Sequence, residues 1–274
     1  MEPTTPQQQK NFFETFGYLV LPGLLQNDIG WITDEFEAVF RDRGVVHDST
    51  KRSCVVPFID QRERLCTLLD HPALHALAAN LLGDDFNYLG GDGNYYSGDT
   101  TWHSDGFHRV GAYVKIALYL DPVARATGCL RVIPGTHRIE DPERIWGARQ
   151  ANKSQELWGI EGRDVPSLAL ESRPGDVVAF NHNLQHAAFG GSARRRMFTL
   201  NLCRRCETAD EIADLENFIA GGARFWIEHT HSETMRQTAS PQRLCHLRQV
   251  MEHEGHLPAL AAQARATMPE PARG

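Results

Sequence analysis

The sequence predicts a mixed α+β protein, in which a mostly β core, a sandwich or barrel, carries helices before and after it. Three observations lead there. Up to Gly83 and again after Cys206, apolar side chains recur three and four apart, the period of a helix with one buried face. Between about 84 and 206 the chain breaks into short β-prone runs separated by Gly, Asp, Asn and Pro. Within that stretch Val110, Ala112, Val114, Ile116, Leu118 and Leu120 alternate with Tyr113, Lys115 and Tyr119, so one face of an extended segment packs on helices and the other can line a pocket.

The elements follow in order. Thr5 and Pro6 form a helix start, Phe12, Phe13 and Phe16 give an apolar face, and Gly17 stops the helix. Tyr18 to Leu21 reads as a strand. Ile29, Ile32, Phe36, Val39 and Phe40 mark a helix from Asn27 to about Phe40, and a leucine stripe marks another over 60–83. His71 and His75 stand four apart on that helix and read as plain surface, since no acidic partner accompanies them. Residues 122–138 give a turn, a short strand and a second turn at Pro134-Gly135. The polar segment of about 139–165, with Trp146 and Trp158, is long for a connection and reads either as a lid or as a surface insertion.

Pro174-Gly175-Asp176 is a tight turn, and the strand Val177 to Phe180 leads to His182 and His186. After a Gly-rich turn, Arg194, Arg195 and Arg196 open a last core strand. On it Arg195, Met197, Thr199 and Asn201 share one face and Phe198, Leu200 and Leu202 the other. Helical texture returns at 209–220, 241–253 and 257–266, and the residues from 268 onward read as disordered. This extension is expected either to cover the mouth of a site or to mediate dimer contacts.

Length and composition set bounds. The 274 residues are expected to form one domain, with N-terminal helices over about 5–83, a core over about 84–206 and a helical extension over about 207–267. Apolar content of 41% and 23% charged residues are ordinary for a soluble globular protein. A net charge of −7 argues against a nucleic-acid partner. No stretch reaches the ~20 apolar residues of a membrane span, and the first ten residues lack the apolar core of a signal peptide, so a cytoplasmic protein is expected. Six cysteines form no disulfide framework, and the CRRC sequence at 203–206 has no second pair beside it, so reduced thiols are expected.

The chemistry concentrates in residues 100–121, TTWHSDGFHRVGAYVKIALYLD. His103 and Asp105 lie two apart on an extended segment and share a side. They supply two thirds of a 2-His-1-carboxylate facial triad, a set that suits non-haem Fe(II) and leaves three coordination positions open. The third ligand is expected from His182 or His186. His108 can meet substrate or solvent, and Asn94 and Tyr96 are candidates for pocket lining. His229 with His231 and His253 with His256 lie outside the β core and are not read as metal sites.

The blocks WHSDG, ALYLD, RVIPGTHR, RPGDVVAFNHNLQH and RRMFTLNL, with the opening FFETFGYLVLPGLL, occur in an order and spacing similar to the phytanoyl-CoA dioxygenase family of Fe(II)/2-oxoglutarate-dependent oxygenases. The resemblance covers residues 11 to about 206. It implies a double-stranded β-helix (jelly-roll, cupin-like) core, with Fe(II) on His103, Asp105 and His186. It also implies that Arg195 holds the 2-oxoglutarate carboxylate, although both its neighbours are Arg, and that Lys115 is a further cosubstrate contact. The implied cosubstrates are 2-oxoglutarate and O2. The implied reaction is hydroxylation of an unactivated C–H bond in a small organic metabolite, with release of succinate and CO2. Desaturation, epimerisation or ring formation on the same iron is the alternative, and a non-catalytic jelly-roll binding protein is the alternative of another class. Related halogenases carry Gly or Ala where this chain has Asp105, so oxidation rather than chlorination is implied. The expected partner is a small-molecule substrate, with no nucleic acid and no membrane, on a monomer or homodimer.

Overall fold

The computed structural model describes residues 5–140, 142–191 and 194–273. Helix α1 (Pro6–Phe16) starts in a capping box, in which Thr5 and Gln8 each satisfy the other's backbone amide, and ends at Gly17, whose φ of 85° few other residues adopt. Strand β1 (Tyr18–Leu21) and helix α2 (Ile29–Asp42) follow, the latter burying Ile32, Phe36, Val39 and Phe40. Strand β2 (Ser53–Val55) comes next. The single helix expected over 60–83 is divided into α3 (Glu63–Cys66), set between 3-10 turns, and α4 (Pro72–Leu82). Pro72 is the reason: its ring disfavours helical geometry in the residue before it, and His71 is extended at ψ 122°. The two histidines there are not plain surface. His71 meets Asp28 at 3.3 Å, and His75 packs against the rings of Phe86 and His246.

The core strands are β3 (Asn87–Tyr88), β4 (Gly93–Tyr96), β5 (Thr100–His103), β6 (Tyr113–Tyr119), β7 (Leu130–Val132), β8 (Leu168–Leu170), β9 (Val177–Asn181), β10 (His186–Ala188) and β11 (Arg195–Cys203). They form two antiparallel sheets. The larger runs β1-β9-β6-β11-β4-β2 with β3 beside β11, and the smaller runs β5-β10-β7-β8. Between the sheets Ala117, Tyr119, Phe180 and Met197 meet Leu130 and Val132. On the outer face Ile116, Leu118, Phe198 and Leu200 pack on Phe36, Phe58 and the leucines of the N-terminal helices. The alternation in β6 and β11 thus has the two faces expected of it. Gly93 lets β4 lie directly on the Phe58 ring, into which a Cβ would run. This is the jelly-roll arrangement with flanking helices.

The insertion forms α5 (Pro142–Arg149) and α6 (Ser154–Trp158), and it covers the outer face of the smaller sheet. Ala151, Ile160 and Val165 pack on Trp102, Ala187 and Phe189, while Trp146 and Trp158 stay exposed. After β11 come α7 (Ala209–Ala220), α8 (Glu233–Gln237), α9 (Pro241–His253) and α10 (Leu257–Thr267). Buried polar contacts fasten this extension to the core. Gln249 Oε1 accepts from Asn87 Nδ2 at 2.7 Å and from the Cys206 amide at 2.9 Å, and Gln249 Nε2 donates to the Cys206 carbonyl at 2.9 Å. His246 Nδ1 donates to the Phe86 carbonyl and His231 Nε2 to that of Tyr88, both at 2.8 Å. Residues expected to be disordered run back onto the protein: the Ala272 amide donates to the Arg224 carbonyl and Arg273 to that of Arg52. Gly274 lies outside the described residues. Cys203 and Cys206 are buried, free thiols. No helix among the described residues is long and apolar enough to cross a membrane.

Replacing Gln249 by Leu keeps the volume but orphans the buried Cys206 amide and carbonyl, each costing about 1–3 kcal/mol, and leaves Asn87 Nδ2 only the Cys203 sulfur at 3.6 Å. Urea denaturation of Gln249→Leu is therefore expected to show a loss of roughly 2–6 kcal/mol; an unchanged midpoint would mean that Gln249 does not hold the extension.

Candidate active site

The site begins with a strand pairing. In the antiparallel ladder between β5 and β10, His186 stands directly opposite His103, so their side chains emerge side by side with ring centroids 4.2 Å apart. Asp105 follows on the same side, where its amide donates to the His182 carbonyl at 2.9 Å. Ligand atoms of His103, Asp105 and His186 all lie within 4.8 Å of one another. His103 Nδ1 donates to the Thr101 carbonyl at 2.7 Å and His186 Nδ1 to the Leu184 carbonyl at 2.9 Å. A carbonyl can only accept, so in each ring Nδ1 carries the hydrogen and the Nε2 lone pair is left for a cation. Burial pushes His186 down to about 4, which keeps it neutral near pH 7. Asp105 Oδ2 is buried without a hydrogen-bond partner among the described residues, 3.6 Å from His186 Nε2. An orphaned carboxylate oxygen beside two imidazole lone pairs fits a divalent metal.

Lys115 on β6 reaches this cluster from the larger sheet, with Nζ 2.9 Å from Asp105 Oδ1. Burial alone would raise the Asp105 carboxyl; the Lys115 ammonium and the surrounding histidines outweigh it and hold the group well below the usual carboxylate range. Lys115 thus meets the acidic member of the triad.

The three arginines at the head of β11 separate cleanly. Arg195 lines the cavity and is 2% exposed, and its Nε and Nη1 have no hydrogen-bond partner among the described residues. Arg194 pairs with Glu37 at 3.2 Å, and Arg196 pairs with Asp121 at 2.6 Å and Glu37 at 2.7 Å. Alternation along the strand sends the middle guanidinium inward and its neighbours outward.

One cavity of about 630 Å³ is lined by His103, Asp105, Lys115, His186 and Arg195. Tyr96 lines it; Asn94 lies behind the wall, donating to Asp92 at 2.6 Å and accepting from Arg52 at 2.7 Å. His108 lines it too, held by Asp214 at 2.6 Å through Nδ1 and stacked 3.5 Å from the Tyr113 ring. His182 is fully buried and neutral, pushed down to about 3 by burial, and its backbone carbonyl positions Asp105. The side away from the core is built by the C-terminal extension, through Asp214, Asn217, Phe218, Arg224, Phe225 and Thr230. None of the described insertion residues lines the cavity, although Arg149 lies over the ring of Phe107 at its rim, 4.7 Å away. The sequence reading missed Asp92 and Arg52; it offered the extension as one possible cover for a site, without naming the residues that line the cavity. The GGD run at 90–92 was the one available signal, because a carboxylate beside two glycines invites close backbone packing; the wall residues form no motif.

A family profile described as phytanoyl-CoA dioxygenase (PhyH) matches residues 13–198. The chain belongs to the phytanoyl-CoA dioxygenase family. Solved structures of the same fold include the non-heme alpha-ketoglutarate-dependent carbocyclase SnoK from nogalamycin biosynthesis, with TM-score 0.57 and 21% identity over 74% of this chain and 87% of that one. EctD from S. alaskensis, crystallised with 2-oxoglutarate and 5-hydroxyectoine, has TM-score 0.55 and 19% identity over 74% and 78%. HygX from Streptomyces hygroscopicus, with iron bound, has TM-score 0.56 and 16% identity over 76% and 94%. No curated protein sequence matches this family member significantly.

Lys115 and Asp105 form a mostly buried pair, and removing either partner strands the other. In metal-free protein Lys115→Met and Asp105→Asn are each expected to cost about 3 kcal/mol in denaturant titrations. The double variant should cost less than the sum; strict additivity would mean that the pair is not coupled.

Proposed function

We propose that this protein is an Fe(II)- and 2-oxoglutarate-dependent dioxygenase that hydroxylates an unactivated C–H bond of a small organic molecule. The observation that carries the reading is the conjunction, in one cavity, of a His-Asp-His donor set with a buried guanidinium that has no carboxylate of its own among the described residues. A buried unpaired cation is costly, and a dicarboxylate spanning from the metal to Arg195 would remove that cost.

In this reading His103, Asp105 and His186 hold Fe(II) and leave three positions for ligands. The bound iron supplies oxidative chemistry in which O2 and 2-oxoglutarate give succinate and CO2, and one oxygen atom enters the substrate C–H bond. The protein's part is positional. Arg195 receives the far carboxylate through charge-assisted hydrogen bonds, while Ala117, Tyr119 and Met197 line the passage toward the triad. The backbone carbonyls of Thr101 and Leu184 keep both histidine lone pairs aimed inward. Phe218 and Phe225 on the extension present apolar rings to the substrate and exclude water from the reacting end. Lys115 steadies Asp105 and so acts on the ligand set, rather than on the far carboxylate held by Arg195.

His103→Ala or His186→Ala is expected to abolish Fe(II) binding and succinate formation. Arg195→Met should raise the 2-oxoglutarate concentration for half-maximal turnover by roughly tenfold to a hundredfold with iron binding intact, whereas Arg196→Met should leave it near wild type. Succinate release assayed with Fe(II), O2 and 2-oxoglutarate checks both. No succinate from wild type, or a defect in Arg196→Met alone, would sink the assignment.

A further inference from the structure

Arg195 raises a question that the ligand set leaves open: what holds a buried guanidinium in place before any carboxylate arrives? No described carboxylate touches it. Its cross-strand partner is Tyr96, directly opposite on β4, and the guanidinium lies 5.0 Å from the centre of the Tyr96 ring. The same ring carries Arg52 at 4.2 Å. Arg52 is anchored along one face of β4 by alternate residues, donating to Asp92 at 2.6 Å and to Asn94 at 2.7 Å, with Tyr96 next in the series. Asp92 in turn accepts from Thr199, which shares the Arg195 face of β11. Gly128 and Gly191 close the seat from the side, since a Cβ on either would crowd Arg195 Nη1.

We propose that Tyr96 is a positioning residue for the cosubstrate: its aromatic face fixes the Arg195 guanidinium in the orientation that receives the far carboxylate, and the Arg52–Asp92–Asn94 network fixes Tyr96. The inference rests on the reading of Arg195 as the 2-oxoglutarate anchor. A ring attracts a cation most where water is excluded, and a receptor group ordered in advance loses less entropy when its ligand binds. The ring, not the hydroxyl, does this.

The test is anaerobic titration of 2-oxoglutarate into the Fe(II)-loaded protein. Tyr96→Phe should bind within about twofold of wild type and Tyr96→Leu about tenfold more weakly, with kcat at saturating 2-oxoglutarate and Fe(II) affinity unchanged in both. Wild-type binding by Tyr96→Leu, or an equal loss in Tyr96→Phe, would overturn the proposal. Because Leu can disturb packing, a second series places mono-, di- and trifluorophenylalanine at position 96. These keep the ring's shape and drain its face of charge, so the 2-oxoglutarate Kd should rise step by step; a flat series would also overturn the proposal. If Arg195→Met binds 2-oxoglutarate like wild type, the anchor assignment itself fails, whatever the Tyr96 variants do.

Discussion

The site depends on the antiparallel pairing of β5 with β10. That ladder sets His103 against His186 at the narrow spacing that only directly opposed residues reach, and the backbone on either side takes up both Nδ1 hydrogens. Neither histidine needs a carboxylate to fix its tautomer, so the acidic group nearby, Asp105, stays available. Lys115, arriving from the opposite sheet, neutralises that carboxylate across the interior. Two sheets must face each other for this to happen, which ties the electrostatics of three side chains to the packing of Ala117, Phe180 and Met197 against Leu130 and Val132.

Much of this was legible in the sequence because strands announce their faces. The alternation over 114–120 and 195–202 assigns inner and outer sides correctly, and with them the inward direction of Arg195 between two outward arginines, whereas Val110 precedes the strand and Tyr113 packs under the C-terminal helices instead of lining the cavity. The spacing of His103 and Asp105 carries the same information. What stayed illegible was whatever depends on contacts between distant segments. The Pro72 break is local and could have been read; the residue pattern by itself left His182 and His186 open, and the family resemblance implied His186, the ring that the β10 register sets against His103. Likewise the terminal residues look disordered by composition, yet hydrogen bonds to Arg224 and Arg52 hold them.

The cavity has two kinds of wall. The core side is made from strands whose register is fixed by the hydrophobic layers behind them. The other side comes from the extension after β11, beyond the residues matched by the family profile, and a few buried polar groups, Gln249, His246 and His231, attach it. Apolar surfaces tolerate sliding, whereas a side-chain amide bonded at both ends does not. Together with the Asp214–His108 bond and the packing of Phe218 on His182, these contacts set where Phe218 and Asp214 stand relative to His103, Asp105 and His186.

That division of labour gives the molecule separable evolutionary parts. A change at Asn217 alters the cavity wall away from the triad and the Arg195 seat, because it stands on α7 and not on the strands that carry those groups. Conversely, a change in the strand that carries Tyr96 reaches the Arg195 guanidinium, which stands opposite it in the ladder. The segment after β11 can therefore reshape one wall of the cavity, within the limits set by the Asp214–His108 and Phe218–His182 contacts, while the sheets keep the ligand-bearing side chains where they are.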